Sequence, residues 1–174
     1  MQQTAYEQIG GDAGVRKVAR LMYEAMEILP QAAACRAIHP KDLSGAEQKF
    51  YEYLSGWLGG PPLYTDKYGH PMLRRRHLPA PIGPEEREGW LLCFATAWAE
   101  VAADAPLRDL VMRKVVELAY HMQNTDGAQA TGTCGEGTGQ HGACHDHGHE
   151  EGVIQGAAGC GAPAAAGGQG GHRG

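Results

Sequence analysis

The sequence predicts an all-α domain followed by a flexible carboxy-terminal tail. Four stretches repeat apolar residues at three- and four-residue spacing, no stretch alternates apolar and polar residues for the length of a strand, and glycine dominates after Asn124. A chain of 174 residues, 43% of them hydrophobic, is expected to hold one domain with its own core, here residues 1–123, and a disordered Gly/His/Cys-rich tail over 124–174.

Val15, Val18, Met22, Ala25, Met26 and Leu29 form one face of a first helix, with Asp12 placed to cap it and Pro30 to stop it. A second helix collects Leu43, Ala46, Phe50, Tyr53, Leu54 and Trp57. Ser44 and Glu47 have capping-box spacing, and Gly59, Gly60, Pro61 and Pro62 end the pattern. Residues 61–83 are rich in proline and read as a long irregular connection with one short helical possibility over 73–77. A third helix starts after Gly83 with Pro84, Glu85 and Glu86, which suit the positive end of a helix dipole, and buries Trp90, Phe94, Trp98 and Val101. A fourth runs from Pro106 through Leu107, Leu110, Val111, Val115, Leu118 and Met122. The irregular middle suggests an interior filled by a bound group as well as by side chains.

The charge balance excludes several functions. Fifteen basic and twenty acidic residues give no general attraction to nucleic acid, and Arg74, Arg75 and Arg76 are too short a basic run to supply one. No stretch approaches the roughly 20 apolar residues of a membrane span, and the amino terminus has no leader pattern, so a cytoplasmic protein is expected. An odd number of cysteines, five, fits reduced thiols better than a disulfide framework, and Cys35 and Cys93 fall inside helical patterns as small buried hydrophobes.

Of the nine histidines, those at 39, 70, 77 and 121 lie in the helical part. His77 closes the possible short helix, where one ring nitrogen can bond a carbonyl one turn back and fix the tautomer an iron ligand needs. Spacing alone favours a surface or capped histidine over an iron ligand.

The motifs add what spacing does not. Tyr6-Glu7-Gln8-Ile9-Gly10-Gly11, Met22-Tyr23, Arg36-Ala37-Ile38-His39-Pro40, Leu54-Ser55-Gly56-Trp57-Leu58-Gly59-Gly60-Pro61, Gly69-His70-Pro71, Arg76-His77-Leu78-Pro79 with Pro81-Ile82-Gly83, and Trp90-Leu91-Leu92-Cys93 occur in that order. Over residues 5–123 the chain resembles the group II truncated haemoglobins. That resemblance implies a two-over-two helical sandwich around haem b, with His77 as the proximal iron ligand. It places Tyr23 and Trp90 on the distal side, with His39 near them, where a phenol and an indole N–H are suitable donors to a bound gas that gathers negative charge. On residue type alone, Tyr23 and Trp90 also read as ordinary core aromatics, and His39 as a turn residue before Pro40.

The same resemblance gives Phe50 and Leu54 as packing for the haem face, Leu73 and Ile82 as further haem neighbours, and Ala46 as the small residue beside a short path to the iron. Arg74 and Arg76 are placed to pair with haem propionates or to stand as solvated charges, and Tyr64 and Lys67 are further propionate candidates. Relatives usually carry phenylalanine where this chain has Met22 and Ala80, which thins the aromatic packing around the haem. The functions implied are reversible binding of dioxygen or another diatomic gas, nitric oxide oxidation with a reductase partner, or a peroxidase-like reaction. Storage of haem or metal is the non-catalytic alternative.

In the tail, His141, Cys144, His145, His147 and His149 lie between Cys134 and Cys160; the segment reads either as an inert low-complexity extension or as a ligand set suited to nickel, zinc or copper. The spacing closes no known zinc module. A c-type haem attachment site would need a cysteine where His141 stands.

Overall fold

The computed structural model describes residues 3–127. The candidate tail ligands Cys134, His141, Cys144, His145, His147, His149 and Cys160 lie outside the described residues. Within them the regular structure is helical: α1 (Ala5–Gln8), α2 (Gly11–Ile28), a 3-10 turn (Pro30–Ala32), α3 (Ala33–Ala37), α4 (Ser44–Trp57), α5 (Leu63–Tyr68), α6 (Leu73–His77), α7 (Pro84–Ala99) and α8 (Ala105–Met122). Helix α2 packs on α4 and α7, α7 on α8, and α6 on the end of α8. The result is two helix pairs, α2 with α4 and α7 with α8, laid over each other.

Periodicity explains the four long helices. Val15, Val18, Met22 and Met26 on α2 meet Cys93, Phe94, Ala97 and Trp98 on α7 in a fully buried core. Met22, one of the two departures from the usual phenylalanine, has no exposed surface.

The helix ends differ from the expected caps. Asp12 does not cap α2, whose N-cap is Gly10; its carboxylate instead accepts from Tyr51 Oη at 2.5 Å and Arg16 Nε at 2.8 Å, tying α2 to α4. Ser44 forms no capping box, because the N-cap of α4 is Leu43 and the Ser44 N–H donates to Asp42 at 2.9 Å. A tertiary contact claims the Asp12 side chain, and at Ser44 a local turn bond occupies the backbone N–H. At α8, Asp104 takes the cap, accepting from Leu107 N at 2.9 Å, and the helix begins a residue before Pro106.

The connection over 61–83 is also more ordered than expected, since it contains α5 as well as α6. Leu110, expected in the core, is 46% exposed. Two glycines have steric reasons. Gly59 ends the α4 segment at φ +90°, a left-handed conformation that side chains avoid. At Gly89 a Cβ would sit 3.1 Å from both Ala32 Cα and Cys35 Cβ, so its absence lets α7 approach α3 just before Trp90.

Candidate haem site

Four elements contribute the expected residues. Tyr23 comes from α2, Ala46, Phe50 and Leu54 from α4, His77 from α6 and Trp90 from α7, while His39 follows α3. Phe50 is the hub. Its ring meets Tyr23 edge-on at 6.1 Å, Trp90 at 6.1 Å and Phe94 at 6.3 Å. Tyr23 also meets His39 at 6.2 Å in a T-shaped contact, so the three distal candidates and Phe50 form one aromatic cluster. Along α7, Trp90, Phe94 and Trp98 stack at 5.8 and 5.9 Å, and this ladder holds the Trp90 ring by one face.

The two histidines share a device. Nδ1 of His77 lies 2.8 Å from the Leu73 carbonyl, and Nδ1 of His39 lies 2.8 Å from the Cys35 carbonyl, each four residues back. A carbonyl only accepts, so Nδ1 carries the proton and Nε2 is the lone-pair nitrogen in the neutral ring. For His77 this is the tautomer of an iron ligand, and its ring is exposed on α6. For His39, burial lowers the pKa below the ordinary 6.5; the Cys35 carbonyl opposes this, and the Arg36 and His77 charges add to it.

In the core that Phe50 and Trp90 pack against, Leu54 is buried and Ala46 half-buried; outside it, Ile82 is buried and Leu73 half-buried. Burial pushes the Cys35 thiol up to about 12 and the Cys93 thiol up to about 11, so both stay protonated and behave as the small hydrophobes the sequence predicts.

The four propionate candidates have different surroundings. Tyr64 is buried, with the Arg76 guanidinium 5.9 Å from its ring centre. Lys67 Nζ pairs with Glu52 Oε1 at 3.0 Å. Burial works against the Glu52 charge, yet hydrogen bonds from Gln48 and Lys67 outweigh it and leave that carboxyl below its ordinary range. Arg74 turns away to α8, donating to the carbonyls of His121 and Gln123. Sequence reasoning missed that contact, as it missed Glu52; neither partner lies within helical spacing of the other.

The residues present fit a haem. The donor set offers an exposed imidazole, His77, with its tautomer fixed, and a group of apolar and aromatic side chains around Phe50. Among the described residues no cluster of three or more His, Cys, Asp or Glu side chains is placed to hold a bare metal ion.

Known proteins agree. The family described as bacterial-like globin matches residues 4–124. A group 2 truncated haemoglobin of Bacillus subtilis is 36% identical over 124 residues, covering 71% of this chain and 91% of that protein. Among solved structures, the group II 2-on-2 haemoglobin of Agrobacterium tumefaciens is 61% identical, with a TM-score of 0.69 over 71% of this chain and 95% of its own. The truncated oxygen-avid haemoglobin from Bacillus subtilis is 36% identical, with a TM-score of 0.63 over 70% of this chain and all (100%) of its own. No helix of the described residues is long and apolar enough to cross a membrane. With its helical sandwich, its aromatic cluster and these relatives, the chain belongs to the bacterial-like globins as a truncated haemoglobin of group II, a protein that binds haem and oxygen.

Proposed function

We propose that the chain binds haem b through His77, retains dioxygen tightly on the side of Tyr23, His39 and Trp90, and uses it to oxidise nitric oxide in the cytoplasm. The observation that carries this reading is one chain of ring contacts, in which Tyr23 and Trp90 both meet Phe50 and His39 meets Tyr23 edge-on. When bound, the haem supplies a redox-active iron with a coordination position for a diatomic gas.

The protein's residues supply the rest. His77 binds through Nε2, and the Leu73 carbonyl orients its ring. With haem and gas bound, Tyr23 and Trp90 would be the donors to the charge on the gas, and Phe50 and Leu54 would exclude water and strengthen those bonds. Ala46 leaves a short entry path open. Tyr64, Lys67 and Arg76 hold the propionates, and Arg74 fastens α6 to α8. Oxidation of nitric oxide by dioxygen to nitrate consumes an electron, so a reductase partner belongs to this reading.

A fall in oxygen retention tests it. A hydrogen bond to a charged acceptor is worth about 1.5–3 kcal/mol, so Tyr23→Phe and Trp90→Leu should each release oxygen about ten- to a hundredfold faster in stopped-flow measurements. Unchanged rates would remove the retention model. The absorption spectrum tests the ligand: the haem-loaded chain should show a Soret band that His77→Ala loses or displaces, and identical spectra would reject His77.

His39 favours a second reading, a peroxidase-like reaction. Its lowered pKa leaves a neutral imidazole beside Tyr23, suited to taking a proton from a peroxide. Peroxide-dependent oxidation of a reducing dye, lost in His39→Leu, is the expected result for that chemistry.

A further inference from the structure

Protein contacts bury none of the five residues of α6, the helix that carries His77, so its orientation rests on polar ties. Those ties come from the carboxy-terminal end of α8 and the residues just past it. Arg74, in α6, donates to the last carbonyls of α8, and the return contact is Asn124, just past that helix. Asn124 Nδ2 donates to the carbonyl of His77 itself at 3.2 Å and to that of Ala80 at 2.9 Å. Its Oδ1 accepts from Ile82 N at 3.0 Å, and its own N–H donates to the Ile82 carbonyl at 2.9 Å. One side chain thus satisfies both edges of the His77–Ile82 segment, which carries Pro79 and Pro81 and has few N–H groups to brace itself. The Ala80 N–H also reaches the His77 carbonyl, at 3.0 Å, so that oxygen accepts two bonds and the peptide plane following the imidazole is held from two directions.

We infer that Asn124 is a positioning residue for the proximal histidine, clamping the His77 backbone so that the imidazole meets the haem iron at a set angle. The inference rests on His77 as the iron ligand. The side-chain amide is the group this task needs, because it donates to two carbonyls while accepting from a third backbone group. Aspartate at 124 keeps the acceptor but loses both donors, and alanine loses all three contacts. The Leu73 carbonyl fixes the ring's tautomer and rotation; Asn124 fixes the backbone from which the ring hangs.

Resonance Raman of the ferrous haem-loaded full chain reads the iron–histidine stretching band, and transfer of haem to an excess of apomyoglobin reads its release. Asn124→Ala and Asn124→Asp should both shift the band and release haem about tenfold faster, the size usual for a group supporting a metal ligand. Asp104→Ala, which removes the cap at the opposite end of α8, lowers stability without touching the clamp and should move neither reading. If Asn124→Ala does not fold, Asn124→Asp, which retains the Ile82 contacts, decides the matter. A band and release rate unmoved in the Asn124 variants, or moved equally in Asp104→Ala, would overturn the positioning role. A parent protein without an iron–histidine band would overturn the His77 assignment and the inference with it.

Discussion

His39 sits where burial works against its own charge. Its folded pKa is lowered, so as pH falls below about 6.5 the unfolded chain takes up a proton before the folded one does. The stability it contributes is therefore fully present above its unfolded pKa and is lost as pH falls toward the lower, folded value. His39→Phe keeps an aromatic ring against Tyr23 and removes the proton site. Urea melts of the haem-loaded protein at about pH 7 and about pH 5 should show a larger loss of stability in the parent than in His39→Phe. Equal losses would show that His39 is not the titrating group. The residue also marks a limit of sequence reading. The four-residue reach from His77 to the Leu73 carbonyl follows from helical spacing, whereas His39 before Pro40 reads equally as a turn, and only Tyr23 and Cys35 closing around it separate the two.

Among the elements, α7 links stability to the site most directly. Trp90, Phe94 and Trp98 recur every four residues and stack, so the deeply buried Phe94 and Trp98 support the distal tryptophan. Phe94→Ala leaves a cavity between two indoles and in front of Phe50, at a cost of about 3–5 kcal/mol by urea unfolding. It should also broaden the Trp90 environment, readable as a red shift of tryptophan fluorescence. A loss below about 1 kcal/mol would mean that the ladder closes up without Phe94. The long helices were legible because 14 to 18 residues display their period over several turns. Helix α1 has four residues, α3 five and α5 six, too few to show one. Caps were the least legible feature: Tyr51, 39 residues away, claims Asp12, and no local rule foretells that.

At the scale of the whole chain, the motif order identified the family while the bracing of α6 stayed hidden. Asn124 marked only a change of composition in the sequence, yet it bonds to His77 across 47 residues. Beyond the described residues, Cys144, His145, His147 and His149 offer a thiol and three imidazoles within six positions. These groups bind nickel, zinc or copper when deprotonated, and none is needed by the haem pocket. A full-length variant with Cys144→Ser and the three histidines changed to alanine should keep its Soret band and take up far less nickel or zinc than the parent in calorimetry at about pH 7.5. Lowering the pH to about 5.5 should weaken uptake in the parent, because protonated imidazoles cannot coordinate. If the variant takes up metal as the parent does, the uptake belongs to the helical domain, where His70 and His121 remain exposed, and the tail has no part in it.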